Sequence, residues 1–327
     1  MYRQITSNKR KSLALLAGFL VLYGVLGYVL SLWFGVAALV IALVIAVVML
    51  FINLYMADDL VMAVAGARHI ERKEEAPELW RMVENLAITA GLPMPRLYVV
   101  EDESPNAFAA GRSPKQAIVA VTTGLLERLD EEELEGVLAH EVSHIRNYDV
   151  RLMTWAAVLA GSIALLAQIF MRGMWFGGGD NNRNANPIVL VVVIVSLILA
   201  PIAAILIQFA ISRRREYVAD ASAAELTRYP QGLASALEQI SAAAKPSARL
   251  GNQAIAHLMI MAPLGARGHT SKLFSTHPPP EDRIGRLAQM AGGADHRHED
   301  LTEGRAMPRP GEHRELPPEE PMASTGL

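Results

Sequence analysis

Two histidines and a glutamate fall within one short stretch, His140-Glu141-Val142-Ser143-His144, whose spacing suits metal chemistry. In a helix, histidines at i and i+4 lie on one face, one turn apart. Two neutral imidazoles so placed can both reach one Zn²⁺ at about 2.0–2.1 Å. Glu141 then lies beside the ion, where a carboxylate can take a proton from an attacking water. The pattern predicts a hydrolytic zinc site, with a solvated helix face of the same sequence as the alternative.

The third metal ligand must come from outside this helix. Tyr148 lies four residues after His144, on the same face of a continuing helix. It is a poor candidate for the third ligand, because zinc sites favour His, carboxylate or thiolate. Asp149 has suitable chemistry, but it follows His140 by nine residues, which rise about 13.5 Å along a continuing helix. If the chain turns back near Asn147, Asp149 could instead accept a hydrogen bond from a ligating imidazole. A solvated carboxylate at a helix end is an equal alternative.

Two carboxylates and a further histidine complete the candidates. Glu216 and Asp220 are spaced one helical turn apart, so Glu216 could bind the metal while Asp220 orients a ligating imidazole. A charged surface patch is an equal alternative, because three arginines precede Glu216. His277 comes directly before a proline that restricts its backbone, and it could donate to a developing oxyanion. A surface histidine in a loop is the alternative.

Residues 106–111 are typical of a short strand ending in glycine. An exposed edge strand beside the metal could pair with an extended substrate, which makes Asn106, Ala107 and Phe108 candidate substrate contacts. An ordinary core strand is the alternative. The remaining histidines have no partner at ligand spacing and are interpreted as structural or solvated: His69, His257, His269, His296, His298 and His313.

The candidate residues depend on a small set of predicted elements. Residues 126–147 have helical apolar spacing, and Asp130 with Glu133 predicts a capping box. An earlier amphipathic helix should end near Gly91. Strands are predicted at 96–100, 106–110 and 116–122, and helices at 213–226, at 231–244 and after Pro278-Pro279-Pro280.

Long apolar stretches predict membrane spans. Residues 12–57 are 46 residues without Asp, Glu, Lys, Arg or His, enough for two spans of about 20 residues with a turn at 31–35. Residues 152–171 and 188–211 are the later candidates, with 20 and 24 residues. A buried apolar hairpin is the alternative for this second pair. Lysines and arginines before the first span and after the last predict four spans with both termini inside.

The composition excludes several classes of protein. With 52% apolar and 19% charged residues, the chain is too apolar to be wholly disordered. The absence of cysteine excludes disulfides and thiolate metal sites, and a net charge of −3 gives no basic balance for nucleic acid. The predicted divisions are an N-terminal transmembrane hairpin (1–57), a first soluble part (58–151), a second apolar hairpin (152–211), a second soluble part (212–291) and a disordered tail (292–327).

Taken together, the chain resembles the HtpX-like integral-membrane zinc metallopeptidases, which are relatives of the CAAX prenyl endopeptidases. The resemblance covers about residues 1–290. It rests on the N-terminal hairpin and on these segments: Asn106-Ala107-Phe108-Ala109, the motif at 140–144 with Asn147-Tyr148-Asp149, residues 212–220 after the second apolar pair, and residues 275–283.

The resemblance implies a site and a setting. The implied site binds one Zn²⁺ per subunit through His140, His144 and Glu216. The resemblance implies Glu141 as the catalytic base and Asp220 as a residue that orients one of the ligands. It implies His277 and Arg283 as contacts to the substrate or the transition state. The implied fold is membrane α-helical plus α+β, with about four transmembrane helices and a cytoplasmic zincin-like domain in the bacterial inner membrane. The implied role is quality control and stress response on unfolded or membrane proteins, in cooperation with other membrane proteases.

Three other functions compete. An intramembrane protease needs the motif inside a span, whereas this helix carries Glu131, Glu132, Glu133 and Glu135. A CAAX-type prenyl-protein endopeptidase is the second, although four spans favour the shorter bacterial relatives. The third is a membrane adaptor with a structural zinc, which would need a fourth protein ligand such as His277.

Overall fold

The structure is a computed structural model that describes residues 2–176, 212–243, 255–261 and 278–303. Its helices are α1 (Tyr2–Phe34), α2 (Val36–Tyr55), α3 (Ala57–Ala65), α4 (Pro77–Ala90), α5 (Thr123–Leu126), α6 (Glu131–Arg146), α7 (Asp149–Phe176), α8 (Arg213–Thr227), α9 (Pro230–Ala243) and α10 (Pro280–Glu303). Its strands are β1 (Ala67–Ile70), β2 (Arg96–Val100), β3 (Ala107–Gly111) and β4 (Ala117–Thr122).

The N-terminal apolar stretch forms two helices that pack together and are separated at Gly35. Gly35 has φ +74°, a left-handed conformation that glycine adopts without steric cost, so the helical run is interrupted inside the predicted turn. Ile5–Leu32 and Val36–Tyr55 are both long and apolar enough to cross a membrane. Large aliphatic side chains such as Val40 and Val47 stay exposed on α2, which suits contact with lipid better than contact with water.

One face of α1 is buried, with Asn8, Ser12, Leu15 and Phe19 at helical spacing. Helix α7 lies against α1. The predicted third apolar stretch falls within α7, and its described side chains are mostly buried. The predicted fourth stretch, 188–211, lies outside the described residues.

Four strands form one sheet in the order β1-β2-β4-β3. Strands β2 and β4 are parallel, while β1 and β3 pair antiparallel at the two edges. The three predicted strands agree with β2, β3 and β4 to within one residue at each end. Strand β1 was not predicted, because Arg68 and His69 give it no alternating apolar pattern.

The sheet separates two apolar cores, because successive residues of a strand face opposite sides. Phe108 and Ala110 pack with the membrane hairpin and α7 on one side. Ala107 and Ala109 pack with α4, α6 and α9 on the other. Helix α6 therefore lies on the face of the sheet that is away from the hairpin.

Helix α6 is fixed at its start and along its length. The predicted capping box is present: Asp130 accepts from the Glu133 N–H at 2.9 Å, and Glu133 accepts from the Asp130 N–H at 3.2 Å. The Glu133 carboxylate also accepts from Ser235 and Gln239 of α9. Gly136 allows α9 to approach closely, since a Cβ there would lie 2.6 Å from the nitrogen of Leu233.

The chain leaves α6 through a two-residue turn and enters α7 at Asp149. Tyr148 has φ +60° there, a conformation that costs a non-glycine residue about 1–3 kcal/mol. The helix therefore does not continue past Arg146, and Asp149 is brought back toward α6.

The C-terminal elements complete the fold around α6. Helices α8 and α9 both pack against α6, and α10 packs against both of them. Helix α10 starts at Pro280, as predicted. It continues to Glu303, whereas the composition predicts disorder from Gly292 onward, so the helix extends into the segment assigned to the tail.

Asp58, near the start of α3, connects the hairpin to the sheet. Its buried carboxylate lies 2.6 Å from Arg96 and 2.7 Å from Arg112, and Arg112 also donates to the Leu54 carbonyl in α2. We expect Asp58→Ala to lower the free energy of unfolding by about 1.5–3 kcal/mol, because hydrogen bonds between charged groups are lost. Denaturant unfolding of the detergent-solubilised protein measures the effect.

The neighbouring Asp59 is the matched control. It is 57% exposed and contacts Arg96 at 3.0 Å, so Asp59→Ala should cost about 0.2–1 kcal/mol, as exposed ion pairs do. Equal losses for the two variants would contradict this account of Asp58.

Candidate metal centre

The two histidines of α6 and Glu216 of α8 converge in the protein interior. His140 Nε2 lies 3.2 Å from His144 Nε2. The Glu216 carboxylate oxygens lie 3.8 Å from His140 Nε2 and 3.7 Å from His144 Nε2. Within the part of the chain that the structure describes, these three residues are the group that could hold a metal ion.

Each imidazole is contacted from behind by a carboxylate. Asp220 Oδ1 lies 2.9 Å from His140 Nδ1, and Asp149 Oδ2 lies 3.2 Å from His144 Nδ1. Because an ionised carboxylate only accepts hydrogen bonds, each Nδ1 carries the proton and donates. Both Nε2 atoms then point their lone pairs into the space in front of Glu216.

The donor set fits a zinc ion. Two lone pairs facing each other at 3.2 Å repel unless a proton or a cation lies between them. Two nitrogens bound to one tetrahedral zinc at about 2.0–2.1 Å lie about 3.3 Å apart. Two imidazoles and one carboxylate are also a ligand set that catalytic zinc sites use.

The two histidines differ in pKa. Burial and the nearby Arg283 lower the pKa of His140 to about 4, so this imidazole is neutral at pH 7. Burial also acts to lower the pKa of His144, but the hydrogen bond that its Nδ1 donates to Asp149 and the charge of Glu216 outweigh burial and raise that pKa to about 9. Without metal, His144 therefore carries the proton that a bound ion would displace.

Glu141 follows His140 directly in α6 and is 1% exposed. The backbone N–H of Ala109 in β3 donates to its carboxylate. Its Oε1 has no hydrogen-bond partner among the described residues. Burial raises the pKa of Glu141 to about 7 against the opposing charge of His144. A carboxylate with this pKa can both accept and release a proton near neutral pH.

Arg283 lies beneath the metal group and is fully buried, although the resemblance implied a substrate contact. Its Nε and Nη2 donate to Asp220 at 2.9 and 2.7 Å, and its Nη1 donates to the Ile260 carbonyl at 3.0 Å. A two-point arginine contact fixes the orientation of a carboxylate. Arg283 therefore fixes the position of the Asp220 carboxylate, and that carboxylate in turn orients the His140 ring. Arg283 is not accessible to a substrate in this structure, because all three of its guanidinium nitrogens make hydrogen bonds within the protein.

The predicted substrate strand is β3, at one edge of the sheet. Asn106, just before the strand, and Ala107 and Phe108 within it are all buried. Their edge is covered by the chain itself: the Ile260 N–H donates to the Ala107 carbonyl at 2.9 Å, and the Asn106 amide donates to the Met261 carbonyl at 2.9 Å. The edge is therefore closed at Ala107, where the sequence predicted an open one, and the core-strand alternative describes its burial better.

His277, the remaining candidate, lies outside the described residues. Of the histidines interpreted as structural, His69 stacks on Tyr98 at 4.8 Å, and buried His257 lies 3.2 Å from the Met153 carbonyl. Sequence patterns indicated no role for Asn8, which contacts Asp149 at the site. The one available indication was a polar residue in register with the buried face of α1.

Comparison with known proteins adds a family match over the soluble part. The profile of Peptidase family M48 matches residues 73–291, which include every residue of the metal group. The "Protease HtpX homolog" of Ligilactobacillus salivarius is 46% identical over 303 residues, covering 89% of this chain and 100% of that protein. The "Protease HtpX homolog" of Dictyoglomus thermophilum is 47% identical over 297 residues, covering 88% and 94%.

Among solved structures, the crystal structure of S. mikatae Ste24p is similar with a TM-score of 0.47 and 19% identity. The similarity covers 88% of this chain and 67% of that one.

The pKa difference between the two histidines can be measured in zinc-stripped protein. We expect the His144 ring to titrate near pH 9 and the His140 ring to stay neutral down to about pH 5. NMR of selectively labelled histidine measures both. Because its folded-state pKa is raised, His144 stabilises the metal-free fold fully below its unfolded pKa of about 6.5, and this stabilisation is lost as the pH rises toward 9.

Asp149→Asn removes the charged acceptor and should lower the pKa of His144 by at least one unit, while His140 is unchanged. Two rings titrating together near pH 6.5 would contradict the assigned hydrogen bonds.

Proposed function

This chain belongs to Peptidase family M48, and from that premise we propose that it is a zinc endopeptidase of the bacterial cytoplasmic membrane acting on misfolded or membrane proteins. It is an HtpX-like metalloprotease, and two apolar N-terminal helices associate it with the membrane. The observation that carries the proposal is the buried group of His140, His144 and Glu216, with a carboxylate behind each imidazole.

The proposed ligands of one Zn²⁺ per subunit are His140 Nε2, His144 Nε2 and a Glu216 carboxylate oxygen. When bound, zinc supplies Lewis acidity that activates water and polarises a peptide carbonyl. Asp220 and Asp149 orient the two rings through Nδ1, and such partners raise the basicity of the ligating nitrogen.

Glu141 is the proposed general base. Its Oε1 takes a proton from the water that attacks the peptide carbonyl, and the protonated carboxyl then gives that proton to the leaving amine. The Ala109 N–H holds the carboxylate in place, and a pKa of about 7 suits both transfers. His277 is the proposed donor to the developing oxyanion, on the basis of its sequence context.

Glu141 favours an enzyme over an adaptor with a structural zinc. A structural site needs four protein ligands and no proton acceptor. Glu141 is a buried carboxylate next to His140 in the chain, and its pKa of about 7 allows it to exchange a proton with water near neutral pH. Helix α6 also begins with exposed Glu131 and Glu132 and packs on the sheet, which disfavours an intramembrane protease.

The proposed substrate is an extended, unfolded segment that pairs with β3 along Asn106, Ala107 and Phe108. Support comes from the Ala109–Glu141 contact, which sets this strand beside the base. Pairing requires Ile260 to release the Ala107 carbonyl. The strands of a folded protein are already paired, so they cannot replace Ile260 at the Ala107 carbonyl. The site should therefore select unfolded chains. This selectivity suits quality control in cooperation with other membrane proteases.

The proposed topology has four spans, with both termini and the metal site in the cytoplasm. Lys9, Arg10 and Lys11, at the N-terminal end of the first apolar helix, support this orientation. The two soluble parts, 58–151 and 212–291, then form one peptidase unit on the same side, in which α8 and α9 pack on α6.

Glu141→Gln tests the base. We expect cleavage of casein by the purified full-length protein to fall about 10²–10⁴-fold, because proton transfer is lost, while zinc content stays at one per chain. Peptide release and elemental analysis measure the two quantities. Chelation should abolish cleavage by the parent protein, and added zinc should restore it.

The matched control is Glu132→Gln, an exposed glutamate of the same helix, which should cleave at the parent rate. Undiminished proteolysis by Glu141→Gln would refute the role of Glu141. A zinc-loaded, folded parent protein that cleaves no unfolded substrate would favour the adaptor.

Single cysteines test the topology, since the natural chain has none. With four spans, Asn182→Cys should react with an impermeant maleimide in spheroplasts, and Ser324→Cys only after lysis. Protection of both positions until lysis would instead favour a buried second hairpin.

A further inference from the structure

Asn8 of the first membrane helix reaches the metal centre. Its side chain is buried, and its amide nitrogen donates to Asp149 Oδ1 at 2.6 Å and to the Asn147 carbonyl at 3.0 Å. Both hydrogens of one NH₂ group are therefore used, one on each side of Tyr148. This contact joins residues that lie 141 positions apart in the chain.

The next residue of α1 contacts the same turn. Lys9 Nζ lies 4.5 Å from the centre of the Tyr148 ring, a cation–π distance. Tyr148 is the residue in the left-handed conformation that ends α6. Two successive residues of α1 thus contact both residues of the turn, Asn147 and Tyr148, and also Asp149 directly after it.

The two carboxylate oxygens of Asp149 make different contacts, one with α1 and the other with the metal group. Oδ2 lies 3.2 Å from His144 Nδ1, and Oδ1 accepts from Asn8. The cationic Arg215 also lies near Oδ1, but its Nη1 is 3.9 Å away, which is beyond hydrogen-bond distance. Because a carboxylate is rigid and turns about a single bond, fixing Oδ1 also fixes Oδ2, and with it the plane of the His144 ring.

We propose that Asn8 is a positioning residue for the metal ligand His144 and acts through Asp149. The first membrane helix thus helps to orient a ligand of the metal centre. This inference rests on the proposed function, in which His144 binds zinc. Without the two donors of Asn8, the Asp149 carboxylate can turn, His144 loses its fixed orientation, and zinc binds less tightly.

The test is the Zn²⁺ affinity of the full-length protein in detergent, measured by competition with a chromogenic chelator. Partners of ligating histidines affect metal affinity about 10–100-fold. We expect that range for Asp149→Ala and about tenfold, its lower end, for Asn8→Ala, which acts one residue further away. The double variant should bind zinc no more weakly than Asp149→Ala alone, because Asn8 has no separate route to the metal.

A general loss of packing would not give this result, since its effects would add in the double variant. Additive losses, or an Asn8→Ala affinity within twofold of the parent, would overturn the inference. If Asn8→Ala does not fold, the isosteric Asn8→Asp also removes both donors and should lose at least tenfold. An unchanged affinity in Asn8→Asp would overturn the inference equally.

Asn53→Ala is the matched control. Asn53 is also a buried asparagine, in α2, but its amide nitrogen donates to the Met49 carbonyl of its own helix. Its zinc affinity should equal that of the parent. If the parent itself binds no zinc, or if His144→Ala binds as tightly, the proposed function fails and this inference with it. Normal parent binding with an unchanged Asn8→Ala overturns this inference alone.

Discussion

Balancing buried charge is the constraint on which the metal centre depends. Four carboxylates and two arginines meet there: Glu141, Asp149, Glu216, Asp220, Arg215 and Arg283. Fully ionised, the carboxylates exceed the arginines by two charges, which is the charge of one Zn²⁺. Without the ion, protons can offset part of this charge: the carboxylates Asp149 and Glu216 raise the pKa of His144, and burial raises the pKa of Glu141. Uncompensated buried charge costs several kcal/mol per ion, so ligands, carboxylates and arginines work as one unit.

The scaffold brings these charges together from separate helices. Helix α6 contributes the two imidazoles and Glu141, and α7 contributes Asp149. Glu216, Asp220 and Arg215 come from α8, and Arg283 comes from α10. The sheet separates this cluster from the core that faces the membrane hairpin. Because α6 is capped at its start, packed closely on α9 and ended by Tyr148, the two imidazoles have little freedom to move apart.

Sequence patterns predicted local elements well and long-range contacts only in part. The capping box and the i, i+4 histidines are local, so helix α6 and its metal-facing side followed directly. The position of Asp149 depends on a left-handed tyrosine, which no residue preference indicates, and spacing therefore left its role open. The burial of Arg283 depends on α8, α10 and the segment around Ile260 meeting, so a single sequence could not distinguish a substrate contact from a residue that holds Asp220.

The wide separation of the site residues along the chain affects when the enzyme can become active. Synthesis proceeds from the N-terminus, so the ribosome completes the two imidazoles of α6 well before it reaches Glu216, and it reaches Arg283 later still. A partly made chain therefore holds an incomplete set of the proposed metal ligands. Under the proposed function, a peptidase that attacks unfolded segments would otherwise meet its own nascent chain first. The order of residues along the chain thus delays proteolysis until the ribosome has passed Glu216 and Arg283.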